Sequence, residues 1–305
     1  MTPNLLIAGV QKAGTTWLHS MLAEHPDFAM SKPKELNHLR TPEARFHEGW
    51  DDYLRHWAGR SERFRGESTP HYFWAPDPVW GPKGGINVAR RVAEHLDPEA
   101  QVIVILRDPV SRAVSSYWHQ FSRGRFDPST TGILRAPAHW GIVDLGFYSR
   151  HYAQWAGELG AERVHVLLYD DLVSDPDAFL RQALTVLGAR VDVPEFWDVI
   201  DVHARVHDKS WVKEFRAAHD PVTEAEIAAL VEIYRDEVAW VESHLGRSLP
   251  AWSDREALIT KHAHSSGEPG PWVADPATVP EWQRALNRER KRRERNAAPR
   301  PSRRD

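Results

Sequence analysis

Eight residues near the N-terminus, Gly9-Val10-Gln11-Lys12-Ala13-Gly14-Thr15-Thr16, have the spacing of an anion-binding loop. Two glycines at that separation let the backbone approach an oxyanion closely, and a helix starting just after them would add its positive end. A loop that holds a nucleoside triphosphate with Mg²⁺ carries Lys directly after the second glycine, within reach of the β- and γ-phosphates. Here Thr15 stands at that position, and the lysine of the loop is Lys12. A loop so built can cradle one 5′-phosphate and its substituent, and is poorly equipped for a triphosphate–metal complex. The plain alternative for Lys12 is a solvated loop lysine.

A strand has to deliver this loop and a helix has to leave it. Asn4 to Val10 reads as a short buried strand, and Thr15 to Glu24 as a helix with Trp17, Leu18, Met21 and Leu22 on its apolar face. The arrangement recurs. Gln101 to Leu106 (QVIVIL) is a second buried strand, followed by Arg107-Asp108-Pro109 and a helical stretch through Phe121. In that stretch Asp108 can cap, Pro109 can occupy the first turn, and Arg112 is expected in a salt bridge. A third strand, Val164 to Tyr169, is followed by Asp170-Asp171, read as helix capping, and by a helix near Pro176 to Leu187. Alternation of this kind predicts an α/β fold, P-loop-like and three-layered, with a central, mainly parallel sheet flanked by helices. Thr223-Glu224-Ala225-Glu226 is a capping box, expected to open one long helix that Gly246 stops. With no internal repeat and no long linker, residues 1–252 are expected to form one domain, and 253–305 an extension with a basic tail.

The run QKAGTTW resembles the 5′-phosphosulfate loop of sulfotransferases that use 3′-phosphoadenosine 5′-phosphosulfate (PAPS). The resemblance implies that Lys12 contacts the bridging and sulfuryl oxygens and stabilises the leaving phosphate. Ala13, Gly14, Thr15 and Thr16 would belong to the donor site, the last three supplying backbone and hydroxyl groups. Trp17 would stack on adenine, although a core role suits its place on the apolar face equally well. Arg107 and Ser115, eight residues apart, resemble the family's 3′-phosphate motif. A guanidinium fork and a helix hydroxyl suit a dianionic phosphate. Ser31-Lys32-Pro33-Lys34-Glu35-Leu36-Asn37-His38 resembles the segment in which glycan-modifying members keep a catalytic Glu, which makes Glu35 the expected general base. Cytosolic members use a His instead, for which His71 is the candidate here, with His38 a third. The resemblance extends over roughly residues 4 to 252 and departs from the glycosaminoglycan enzymes at two points. Ser68 stands where those enzymes usually have Lys, and their C-terminal disulfide loop is impossible in a chain without Cys. Both departures argue against a heparan-type acceptor. The segment Val206 to Lys213 lacks the Gly of the loop that completes the 3′-phosphate site in relatives, and Lys209 is its candidate cation.

Composition narrows the rest. The chain has 305 residues, 41% of them apolar and 27% charged, enough for a sizeable core without staples. The absence of Cys excludes disulfides, thiolate metal sites and a cysteine nucleophile. No apolar run approaches the length of a membrane span, so a cytoplasmic protein with no membrane partner is expected. From Gln283 to Asp305 ten basic residues face three acidic ones, so this tail carries +7 and the rest −11, within a total of −4. An acidic body argues against nucleic acid as a partner. The fourteen Trp fit a core, or the wall of a pocket for a flat acceptor. The expected reaction is sulfuryl transfer to a hydroxyl or amine of a small-molecule or saccharide acceptor, with PAPS as co-substrate and no metal. The alternatives are a P-loop kinase, with Asp170-Asp171 as its Mg²⁺ carboxylates, and a non-catalytic nucleotide-binding protein.

Overall fold

Five strands form one sheet among the described residues: β1 (Leu5–Gly9), β2 (Phe28–Met30), β3 (Phe64–Ser68), β4 (Gln101–Leu106) and β5 (Val164–Leu168). Their order is β2-β3-β1-β4-β5, and every neighbouring pair runs parallel. The computed structural model describes residues 2–75, 85–121, 125, 132–134, 136, 138–204 and 222–263. The expected 206–213 loop with Lys209 and the basic tail lie outside the described residues. β1 is buried at all five positions, as a central strand covered on both faces must be. Ile7 is level with Ser68 on one side and Ile103 on the other, so three strands end near one another. From β1 the chain moves outward to β2 and β3, then returns across β1 to β4 and β5. That reversal opens a crevice at the carboxyl ends of β1 and β4, where open α/β sheets take their ligands.

The helices are α1 (Thr15–Ala23), α2 (Glu43–Glu48), α3 (Trp50–Arg55), α4 (Val88–His95), α5 (Pro109–Phe121), α6 (Tyr148–Leu159), α7 (Tyr169–Ser174), α8 (Pro176–Val186), α9 (Pro194–Trp197), α10 (Glu224–Ile233), α11 (Arg235–Leu245) and α12 (Arg255–His262). Several begin where the sequence carries a capping side chain. Asn87, Asp175 and Asp254 accept the N–H three residues on, from Arg90, Ala178 and Ala257. α5 is buried almost all round, and α10 and α12 pack on it with Ile227, Leu230 and Leu258. α12 thus packs onto the body although it lies beyond residue 252. Five Trp, at 57, 74, 118, 155 and 252, are buried, which favours the core reading for them.

Two expectations are corrected. The helix from the Thr223 capping box, which is present, ends at Ile233, and a second one starts at Arg235. Between them Tyr234 leaves helical geometry (ψ 7°) while its buried hydroxyl donates to the Val143 carbonyl at 2.7 Å. Strands β2 and β3 have no counterpart among the strands expected from the sequence. β2 is three residues long, and β3 reads FRGES, a composition poor in strand formers. Pairing with β1 and close packing place β3: a Cβ on Gly66 would come within 2.9 Å of Met30 Sδ.

Candidate active site

Gly14 lies at the N-cap of α1 in the left-handed region (φ 88°), and no side chain caps the helix. The first N–H groups of α1 therefore face the crevice without a carbonyl from a preceding turn to accept them. Lys12 is also left-handed (φ 77°). A Cβ on Gly14 would meet Leu172 Cδ2 at 2.5 Å and Tyr169 Cδ2 at 3.3 Å, so only glycine fits where α7 presses on the loop. From beneath, the buried Gln11 accepts a 2.7 Å bond from Ser116 Oγ of α5. Ala13 and Thr15 are buried, whereas Lys12, Gly14, Thr16 and Trp17 are half-buried at the crevice. Trp17 donates its indole N–H to the Val202 carbonyl (3.1 Å) and meets Phe179 edge-on.

Arg107 leaves β4 on the opposite wall. Its Nη1 donates to the Lys12 carbonyl at 2.9 Å, its guanidinium lies 4.8 Å from the Tyr169 ring centre, and its own carbonyl accepts from Tyr148 OH at 2.7 Å. The Lys12 loop and the loop after β4, 95 residues apart in sequence, are thus joined by one hydrogen bond. Asp108 accepts the N–H groups of Val110 and Ser111 at 2.9 and 3.1 Å, fulfilling its capping role, and burial pushes its carboxyl up. Ser115 is half-buried on α5. One turn earlier, Ser111 Oγ bonds His262 Nε2 (2.7 Å) and accepts from Lys261 Nζ (3.2 Å). Arg112 departs from expectation: fully buried, it donates to the Ile142 carbonyl and forms no ion pair among the described residues. Asp170 and Asp171 are likewise not caps. They accept from Trp252 Nε1 (3.2 Å) and Arg247 Nη1 (2.6 Å), tying the C-terminal segment to α7, whose cap position is Leu168.

On the third side, the end of β3 meets the segment that carries Glu35. Ser68 Oγ donates to the Thr15 carbonyl at 3.5 Å, and Ser68 O accepts the Glu35 N–H at 3.1 Å. Glu35 therefore sits two hydrogen bonds from α1, with its side chain 47% exposed and paired to Lys34 Nζ at 2.8 Å. His38 is not placed to take a proton. Its ring stacks on Tyr53 (4.6 Å) and Phe46 (5.1 Å), its Nε2 is buried without a partner, and burial pushes its pKa down. His71 lies beyond β3, partly open to the cleft. Close protein packing, then the charges of Arg40, Arg112, Arg125 and Lys34, push its pKa down to about 3. The half-buried Arg40 guanidinium has no hydrogen bond or ion pair among the described residues. Tyr169 wedges Gly14 and Arg107 together, and its only signal in the sequence is its position at a strand end.

Two further buried histidines carry a pH consequence: His19 on α1, packed against the 31–35 segment, and His151 on α6. Burial lowers His19 and His151 from 6.5 to about 4 each. Between those values the unfolded chain binds more protons than the folded one, so stability falls as pH is lowered. Glu67 acts oppositely, since burial raises it to about 7 and its folded form gains on acidification. Together with His71, lowered to about 3, the histidine contribution is the larger, and Tm is expected to drop on the order of 10 °C between pH 7 and 4.5, at roughly 2 °C per kcal/mol for a chain this size. Calorimetry across that range should show a shallower slope for the His19→Gln/His151→Gln double variant. A rising Tm would mean that these rings are charged in the fold.

Residues 2–219 match the family described as the sulfotransferase domain. The chain is 25% identical over 288 residues to the mouse bifunctional heparan sulfate N-deacetylase/N-sulfotransferase 4, covering 83% of this chain and 31% of that protein. It is 27% identical over 199 residues to the mouse heparan sulfate glucosamine 3-O-sulfotransferase 6, covering 62% of this chain and 53% of that protein. The chain therefore spans from just under a third to about half of these relatives' length. A solved sulfotransferase from Alicyclobacillus acidocaldarius matches with a TM-score of 0.60 at 25% identity, over 83% of this chain and 99% of the other.

Proposed function

The chain belongs to the sulfotransferase domain family, and from that premise we propose that it transfers a sulfuryl group from PAPS to a hydroxyl or amine of a saccharide or other small acceptor, with Glu35 as base. The observation that carries this reading is the Arg107–Lys12 hydrogen bond, which unites two anion loops at the switch point of the sheet. The residues fit the donor: a Gly14 cradle that a Cβ would fill, uncapped helix N–H groups, and a guanidinium on the opposite wall. PAPS would supply a sulfuryl group already activated by its phosphate leaving group. On this reading the loop N–H groups, Thr15 and Thr16 hold the 5′ end. Arg107 and Ser115 hold the 3′-phosphate, and Lys12 offsets the charge that develops on the departing oxygen. Trp17, held by Val202 and Phe179, would border the adenine.

Glu35 would accept the acceptor's proton as the new S–O or S–N bond forms. Its position at the mouth of the cleft, beside Lys34, supports that role. A pKa near 3 leaves His71 too weak a base for the task, since a general base works best near the operating pH. The relatives named for heparan sulfate favour a saccharide acceptor, and an acidic group on it would meet Arg40, whose guanidinium has no partner among the described residues.

3′-Phosphoadenosine 5′-phosphate (PAP) is expected to raise Tm in the presence of EDTA, by mass action on the folded state, and adenosine 5′-phosphate to raise it much less. Arg107→Ala should weaken PAP by roughly 2–4 kcal/mol, the scale of a desolvated charge-assisted contact. Equal stabilisation by the two nucleotides would remove Arg107 and Ser115 from the donor site. A cell extract incubated with enzyme and PAPS should yield products heavier by one SO₃. A requirement for ATP and Mg²⁺ would sink the reading in favour of a kinase.

A further inference from the structure

Glu67, next to last in β3, is fully buried, yet none of the chemistry proposed above uses it. Its carboxylate accepts hydrogen bonds from Tyr53 OH (2.8 Å), Tyr72 OH (3.0 Å), Thr69 Oγ1 (2.8 Å) and the main-chain N–H of Leu36. Two of these donors are themselves acceptors for the segment that carries Glu35. Thr69 Oγ1 accepts the Asn37 N–H at 3.3 Å, and Tyr72 OH accepts the Leu39 N–H at 3.1 Å. The Glu35 N–H goes to Ser68, the neighbour of Glu67. The N–H groups of 35, 36, 37 and 39 thus all end on residues 67–72, three of them on Glu67 or one atom away from it.

That segment needs such restraint. Glu35 (φ 67°) and Asn37 (φ 57°) both hold left-handed backbone, which is costly for residues other than glycine and persists only where the surroundings over-determine it. We propose that Glu67 is a positioning residue for the candidate base: through Leu36, Thr69 and Tyr72 it pins residues 35–39 against β3, and so holds Glu35 beside the phosphate loop. This rests on the reading of Glu35 as base. Tyr53 serves the same end twice, since the ring that donates to Glu67 also stacks on His38 within the segment. Four donors match the lone pairs of a carboxylate. A Gln side chain offers one acceptor oxygen and adds two N–H groups that have nowhere to go in this shell.

The test is hydrogen exchange on the full chain, read with donor binding and turnover. In Glu67→Gln the amides of residues 36–39 are expected to exchange at least about tenfold faster, while β1 and β4 keep their protection. The Tm rise with PAP should be retained. PAP formation from PAPS in the cell extract, at saturating PAPS, should fall about tenfold or more. If Glu67→Gln does not fold, Tyr72→Phe carries the test, with the same signature confined to Leu39 and its neighbours. Unchanged protection at 36–39, or an increase spread evenly over the sheet, overturns the proposal. So does faster local exchange with full turnover. The exchange result does not depend on which group is the base: an active Glu35→Gln enzyme would refute the base while leaving the pinning of the segment measurable.

Discussion

Glu35→Gln is expected to lower turnover by roughly 10²- to 10⁴-fold, the range typical of general-base loss, while PAP still raises Tm as in the wild type. The side chain is half exposed and, among the described residues, bonded only to Lys34, so its replacement leaves no buried group unpaired and the fold should be indifferent. His71→Ala should be clearly milder, because a ring whose pKa lies near 3 stays neutral throughout the working range and contributes shape rather than basicity. The acidic limb of the pH–rate profile should disappear in Glu35→Gln. The measurement needs an alcohol or amine acceptor, since a phenol loses its proton too readily to need a base. A dead His71→Ala enzyme beside an active Glu35→Gln would transfer the role to His71.

Lys12→Ala is expected to lower turnover by about two to three orders of magnitude, the usual scale for removing one electrostatic stabiliser of developing charge. The loss should fall on kcat more than on PAP affinity, because the bridging oxygen gains charge chiefly in the transition state. The loop itself should survive. It is joined to α5 and β4 by the Gln11 side chain, the Lys12 carbonyl and the Val10 N–H on the Ile105 carbonyl, and none of these is removed. The left-handed φ at this position is, however, no easier for Ala than for Lys. Normal kcat with weak PAPS binding would reduce Lys12 to a binding residue.

The proposed donor site is legible in the sequence because it is built locally. A buried strand, a glycine-bearing turn and a helix start dictate a phosphate loop within a dozen residues, and Arg107 and Ser115 sit on one strand–helix junction. Their register in sequence is their register in space. The same locality makes the QVIVIL strand, the helix from Pro109 to Phe121 and the Thr223 capping box readable to the residue.

The acceptor side is legible only in part. Glu35 is identified by resemblance, but its surroundings depend on β3, a strand whose residues FRGES carry no strand signal and which exists because β1 and β2 pair with it. The same holds for Tyr169, which matters because Gly14 and Arg107 fold against it, and for the break at Tyr234, which a distant carbonyl imposes. Sequence by itself determined β1, β4, β5, the helices that follow them and the α/β class, and marked the candidate phosphate loop, since these follow from neighbours a few residues apart. Only the tertiary structure decided that the Lys12 and Arg107 loops touch, that His38 is locked among aromatic rings, and that the buried Glu67 carboxylate shares its hydrogen-bond partners with the segment bearing Glu35. Those facts depend on hydrogen bonds and packing between residues tens of positions apart, and no local pattern encodes them.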